Sequence, residues 1–328
     1  MKEQQKRFKN TEPFALSRPL QTPVLFMMFN RLEAARQVFS VIRQARPARL
    51  YIAADGPRME RAGEDRQVRA VRDYVMGHID WPCDVKTLFR DKNLGCKYAV
   101  SEAISWFFEN EEMGIILEDD CLPEPSFFPF CEELLVRFRD NERVFMISGR
   151  NDLGTWKQDQ YSYFFTTGSI WGWATWRRAW RHFDFELKSW TDEGTQYNIK
   201  EFSQKAPYVV ERIVNGCRNV LAGNIDTWDY QWAFTRITRG ALGVIPAMNL
   251  VSNIGFGKDA THTTSHASTS VDIPVYTMPF PLRHNSDMCI DFEYIKKRHK
   301  MMQKSVSDRL KSQLKNYCRK LLDPIHLC

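Results

Sequence analysis

The sequence predicts an α/β fold in which a mostly parallel central sheet is flanked by helices. Between residues 23 and 150, short apolar runs alternate with stretches whose apolar residues recur at helical spacing. Each of the first four runs ends in a polar cluster: Asn30-Arg31, Asp55-Gly56, Arg90-Asp91 and Glu118-Asp119-Asp120. With 43% apolar and 13% aromatic residues in 328, the chain can also bury a large core.

The elements follow in order. Val24–Phe29 reads as a buried strand, and Leu32–Ala45 as a helix with Ala35, Val38, Phe39 and Ile42 on one face. Leu50–Ala54 is a second strand that stops at the loop signal Asp55-Gly56-Pro57, before a charged helix from about Glu64 to Gly77. A third strand lies near Val85–Phe89. Asn93 is placed to cap a helix carrying Cys96, Ala99, Val100, Ala103, Ile104, Phe107 and Phe108 at helical spacing. Gly114–Leu117 is the fourth strand. Phe127, Phe128, Cys131, Leu134, Leu135 and Phe138 mark the next helix, and Val144–Ile147 another strand. Ligands of such sheets bind outside the carboxyl ends of the strands, so the four polar clusters should converge along one edge.

The second half changes character, with eight of the ten tryptophans between Trp156 and Trp232. From Phe292 onward, Ile295, Met302, Val306, Leu310, Leu314, Tyr317 and Leu321 outline a long amphipathic helix with Lys and Arg on its other face. Three regions result: a basic tail over 1–21, one domain over 22–284 in two halves that meet at 150/151, and a basic helical extension over 285–328.

Charge and composition exclude several classes. Residues 1–20 carry a net +3 and 285–328 a net +5, leaving −2 for the body, which is no nucleic-acid surface. Basic ends around a near-neutral body fit peripheral contact with an anionic membrane leaflet, although a solvated tail explains them equally. No apolar run approaches the roughly 20 residues of a spanning helix, and the first 20 residues lack a signal-peptide core. A cytoplasmic location is expected. The eight cysteines include no CxxC pair and read as reduced thiols.

The strongest chemical signal is Glu118-Asp119-Asp120 at the mouth of an apolar strand. Adjacent anions repel, and hard oxygen ligands of this kind suit a divalent cation bridging a diphosphate; a solvated acidic turn is the bland alternative. Neither GxGxxG nor GxxxxGK occurs, so phosphates would be held by a metal and side chains such as Arg31. Asp55 could accept from a base or ribose, or be a plain turn residue. Asp226 and Asp229 lie among tryptophans, where a carboxylate becomes a usable general base; a helix start over a core is the competing view. Gly168–Trp176 alternates aromatics with small residues, as a sugar-binding wall or a packed core would. His262 and His266 are spaced like zinc ligands in a Thr/Ser-rich stretch, which better suits one histidine reaching a diphosphate or two loop histidines.

In their order along the chain, these residues resemble an inverting glycosyltransferase of the nucleotide-diphospho-sugar transferase superfamily. The closest likeness is to the N-acetylglucosaminyltransferase I type and its bacterial relatives. The matching features are Asn30-Arg31, Asp55-Gly56, Asn93-Leu94-Gly95, Glu118-Asp119-Asp120 followed by Cys-Leu-Pro-Glu-Pro-Ser-Phe-Phe, Gly172-Trp173, Trp228-Asp229 with Trp232, and Phe256-Gly257-Lys258 ahead of His262. They span about residues 22–266.

The resemblance implies a GT-A, Rossmann-like fold and a UDP-sugar donor bound at the strand ends, N-acetylglucosamine being the leading guess. Residues 22–150 would form the nucleotide-sugar half and 151–284 the acceptor half. Asp120 would be the ligand of Mn2+ or Mg2+. Donor contacts would come from Arg31, Asp55, Asn93, Gly95, Glu118, Asp119, Trp173 and His262, with Asp55 on the uracil. Asp229 would be the base, with Asp226 as competitor because Tyr230 stands where the relatives show a second acidic residue. The acceptor would be a glycan, lipid-linked or protein-linked hydroxyl in bacterial surface-glycan synthesis. A glycoside hydrolase and a non-catalytic carbohydrate-binding protein are the alternatives.

Overall fold

The computed structural model describes Phe14, residues 16–255 and residues 273–303. Its centre is an eight-stranded, mostly parallel sheet flanked by helices, a mixed α/β architecture. Strands β1 (Val24–Met28), β2 (Arg49–Ala54), β3 (Asp84–Phe89) and β4 (Met113–Glu118) run parallel, with β1 between β2 and β4. Helices α1 (Leu32–Ala45), α2 (Glu64–Gly77) and α3 (Gly95–Asn110) connect them. Because helices cover both faces, β1 is apolar at every position, Val-Leu-Phe-Met-Met, and wholly buried. Its alternate residues serve different cores: Val24, Phe26 and Met28 pack on one side of the sheet, Leu25 and Met27 on the other.

Beyond β4 come β5 (Cys121–Pro123), α4 (Phe127–Arg137), β6 (Val144–Ser148), β7 (Tyr163–Thr166) and β8 (Trp173–Trp176). A short helix α5 (Arg177–Trp180) leads to α6 (Glu193–Lys205), α7 (Pro207–Leu221) and α8 (Asp229–Thr238), then β9 (Leu242–Pro246) and β10 (Val251–Asn253). The strand order is β3-β2-β1-β4-β8-β6-β9-β7, in which β8 and β7 run against the others. A separate antiparallel pair, β5 with β10, folds the chain back over the end of β4.

The structure departs from the sequence expectations in two places. Trp173, implied by the resemblance as a donor contact, lies in a buried mid-sheet strand, Trp173-Ala174-Thr175-Trp176, the packed-core reading of this segment: Trp173 packs with Trp228, Trp232 and Trp180, while Trp176 faces the opposite core. Aromatic side chains supply much of the buried area here, which accounts for the tryptophan clustering. The second departure concerns α3. Asn93 does not cap it; its Nδ2 donates to Gly56 O at 2.9 Å, and two remote carboxylates take the helix's first N–H groups instead.

Residues 292–303 form the described part of the C-terminal helix. Its apolar side docks on the protein: Tyr294 and Ile295 are buried against Phe164 and Ile245, and the Tyr208 and His299 rings stack 3.8 Å apart. Ahead of it, Ile290 bridges to Phe165 at the sheet edge. The continuation over 304–328 lies outside the described residues. Among the described residues no helix is long and apolar enough to cross a membrane.

Candidate functional site

The carboxyl ends of β1, β2, β3 and β4 open into a cavity of about 500 Å³, a size suited to a small organic ligand. Arg31, Asp55, Arg90 and Glu118-Asp119-Asp120 all line it, so the strand-end clusters do converge. Continuous apolar strands stop there because the next residues are polar and must reach either solvent or one another.

Arg31, at the start of α1, is the hub. Its Nη1 donates to Asp120 Oδ2 at 3.0 Å and its Nη2 pairs with Asp119. Asp119, 2% exposed, also accepts from Phe29 N at 3.0 Å, so both its oxygens are engaged in fixing the end of β1. Burial pushes the Asp119 carboxyl up, and Arg31 offsets this only in part. For Glu118, burial and then repulsion from Asp120 and Asp119 push the pKa up; its carboxylate makes no hydrogen bond among the described residues. Three carboxyl groups thus crowd around one guanidinium, and burial together with their mutual repulsion pushes Glu118 and Asp119 toward their neutral forms.

Among the described residues no group of three or more His, Cys, Asp or Glu is disposed to hold a metal. The described residues therefore provide no closed cage. Asp120, whose Oδ1 among the described residues meets only the Cys121 thiol at 3.5 Å, fits the other common arrangement, in which one carboxylate shares a Mg2+-type ion with substrate phosphates and water. Gly255 closes over this point: an added Cβ would stand 2.2 Å from Asp120 Oδ2 and 2.6 Å from Arg31 Nη1.

The opposite wall is the N-terminus of α3, whose first N–H groups lack helical partners. Asp55 accepts from Gly56 N at 2.9 Å, Leu94 N at 3.0 Å and Gly95 N at 3.2 Å. Asp226 accepts from Cys96 N at 2.7 Å and Lys97 N at 3.1 Å. Both carboxylates and Asn93 line the cavity while their polar atoms organise its loops. Gly95 has φ +78°, and a side chain there would strike Asp226, so glycine is required on both counts. Between the two walls, Ala53, Ala54, Ala99 and Ala103 form a recess of small apolar side chains.

A second cavity of about 300 Å³ lies beyond Trp171, which lines both. Asp229, the first residue of α8, lines this second space with Tyr230 and accepts a hydrogen bond from Thr227 Oγ1. It is near enough to Glu118 to add to the upward push on that carboxyl.

The structure therefore brings Arg31, Asp55, Asn93, Gly95, Glu118, Asp119, Asp120 and Asp226 around one cavity and Asp229 around its neighbour. Trp173, expected at the donor, is 1% exposed and lines neither; Trp171, two residues earlier in the same motif, stands at the boundary. The physical reason is strand alternation and burial, which commit Trp173 to the core. His262 lies outside the described residues. Sequence reasoning missed Arg58, Cys96, Asn253 and Gly255. Arg58 follows the Asp55-Gly56-Pro57 loop and was findable; Gly255 reaches the site only because β10 pairs with β5, which no local pattern announces.

No protein-family model and no curated protein match the chain. Among solved structures it is similar to a mannosyltransferase, PcManGT from Pyrobaculum calidifontis in complex with GDP-Man and Mn2+, at 11% identity and a TM-score of 0.38, over 73% of this chain and 75% of that one. It is also similar to mouse xyloside xylosyltransferase 1 at 12% identity and a TM-score of 0.32, covering 81% and 98%. HddC from Yersinia pseudotuberculosis matches at 9% identity and a TM-score of 0.31, covering 53% and 85%. At scores this low the likenesses argue for no substrate and no reaction.

Proposed function

We propose that the chain is a nucleotide-sugar-dependent glycosyltransferase that uses a UDP-sugar, with the donor in the strand-end cavity and the acceptor in the neighbouring one. The observation that carries this is the shared wall at Trp171: a carboxylate-and-arginine cavity on one side, and on the other a space lined by Asp229 and by Asp152, whose oxygens are taken up by Arg150 and Arg298. The small apolar recess formed by Ala53, Ala54, Ala99 and Ala103 suits a nucleobase.

Arg31 is held by Asp119 and Asp120, so one of its roles is to keep the carboxylates at fixed separation before ligand arrives. A divalent ion, Mn2+ or Mg2+, bound through Asp120 and the diphosphate would supply charge neutralisation for the leaving group. Asp229 removes the proton from an acceptor hydroxyl as that oxygen bonds to the anomeric carbon. The bond from that carbon to the diphosphate breaks, the nucleoside diphosphate departs with the electron pair, and a single displacement inverts the centre. Trp171 orders the two substrates on either side of the reacting bond and excludes water between them.

The test is calorimetric titration of UDP, and separately of GDP, into the full chain with and without Mn2+. Metal-dependent binding of UDP is expected. Binding of GDP alone would overturn the UDP assignment, and binding of neither under any condition would overturn the transferase reading.

A further inference from the structure

The second cavity carries positive charge that the transfer chemistry does not use. Arg212, Arg236, Arg298 and His299 line it, against Asp152 and Asp229. Asp152 is already satisfied: its Oδ1 takes Arg150 Nε at 3.0 Å and its Oδ2 pairs with Arg298. Arg236 is in a different position. It is 4% exposed, its Nε donates to Trp232 O at 3.3 Å, and its Nη1 is buried with no hydrogen-bond partner among the described residues. It makes no ion pair there either. Arg212, on α7, is exposed and likewise makes none among the described residues.

A buried guanidinium without an anion is costly, because taking the charge out of water is repaid only by a well-placed counter-charge. Burial pushes the Arg236 pKa down and Asp229 offsets this only in part. Asp229 and Arg236 occupy the first and eighth positions of α8, two turns apart on one face, and the Arg236 side chain reaches back along the helix to Trp232 O, so both line the same cavity. A sugar bound there can meet the Asp229 carboxylate through a hydroxyl and the guanidinium through an oxyanion.

We propose that this cavity is the acceptor subsite for an anionic sugar, one bearing a carboxylate or a phosphate, and that Arg236 and Arg212 recognise the oxyanion. The inference rests on the transferase reading and deepens it. An arginine fork donates two parallel hydrogen bonds to either group, which a neutral acceptor cannot reciprocate. The alternative role for Arg236 is structural, stacking on Trp232 at 5.7 Å and nothing more.

Ligand-observed NMR on the full chain, saturated with the nucleotide it binds, separates these roles. The probes are D-glucuronate, D-glucose 6-phosphate and D-glucose. At least one anion is expected to bind about tenfold or more tightly than glucose, as a charge-assisted hydrogen bond implies. The tighter of the two identifies the group. Arg212→Glu, at an exposed position, should remove most of that preference, and Arg236→Gln should remove it further. Equal binding of all three sugars, or a preference indifferent to Arg212→Glu, overturns the proposal. Nucleotide titration in the same samples keeps the two readings apart: normal nucleotide binding without anion preference overturns this inference alone, and absent nucleotide binding overturns the transferase reading.

Discussion

Asp226 holds the amide of Cys96 at 2.7 Å, joining the segment before α8 to the first turn of α3 across 130 positions of sequence. A second bond, to Lys97 N at 3.1 Å, makes the carboxylate a cap delivered in trans. This bears directly on which aspartate acts as base, because oxygens engaged by two helix N–H groups are poorly placed to take a proton from an acceptor.

Asp226→Ala should therefore cost stability. Loss of such a cap is worth about 1 kcal/mol, because water can reach the two exposed N–H groups that it leaves unmet. Urea unfolding followed by circular dichroism measures it. A variant of unchanged stability whose turnover collapses would return Asp226 to the role of base.

Gly255→Ala probes the other wall. The new Cβ would have to displace Asp120 or Arg31, since it would stand 2.2 Å from one and 2.6 Å from the other. Both neighbours are side-chain ends that can move, so the fold should survive with little loss in melting temperature. Displacing Asp120 or its partner Arg31 disturbs the carboxylate that would hold the metal, so metal-dependent nucleotide affinity should fall by roughly 10- to 100-fold. Unaltered affinity by calorimetry would show that Asp120 does not contact the ligand.

Much of this site was legible beforehand, for reasons that differ by residue. Arg31, Asp55 and Glu118-Asp119-Asp120 sit where apolar runs stop, and a parallel sheet brings all such points to one edge whatever its detailed register. The expected helices at Leu32–Ala45 and about Glu64–Gly77 match α1 and α2 because period and punctuation agree there. Trp173 misled because a tryptophan's side of the sheet depends on its pairing with Ile116 in β4, and antiparallel insertion of β8 cannot be read from local spacing. Gly255 and Arg236 were invisible for a related reason: their importance lies in what other segments place beside them.

The link between the C-terminal helix and the core should be acid-sensitive. Burial pushes the Asp152 carboxyl up, but Arg298 and Arg150 outweigh it and hold it at about 2. An unfolded aspartate titrates near 4, so the native state gains roughly 2 kcal/mol that is fully present above about pH 4 and is lost as pH falls through about 2. Asp152→Asn would leave the fully buried Arg150 without this counter-charge, a change that typically costs about 3 to 5 kcal/mol. The stability gap between parent and variant should be widest near neutrality and narrow progressively in acid. A gap constant from pH 7 to the acid limit would mean that the charge on Asp152 contributes nothing.

Asp229 and Asp120 should fail in different ways when neutralised, because they line different cavities. Asp229→Asn removes a proton acceptor but no donor contact; general-base loss typically costs about 100- to 10,000-fold in rate. Nucleoside diphosphate release from the donor should slow by that order, with nucleotide affinity within about twofold of the parent. Asp120→Asn should instead abolish the metal dependence of nucleotide binding, and turnover with it. Since Asn keeps the shape of Asp in both cases, a change in folding is not expected, and circular dichroism checks this. If Asp229→Asn lost nucleotide binding while Asp120→Asn kept it, the donor and acceptor cavities would have to be exchanged. Equal loss of both functions in both variants would mean that Trp171 does not separate two sites at all.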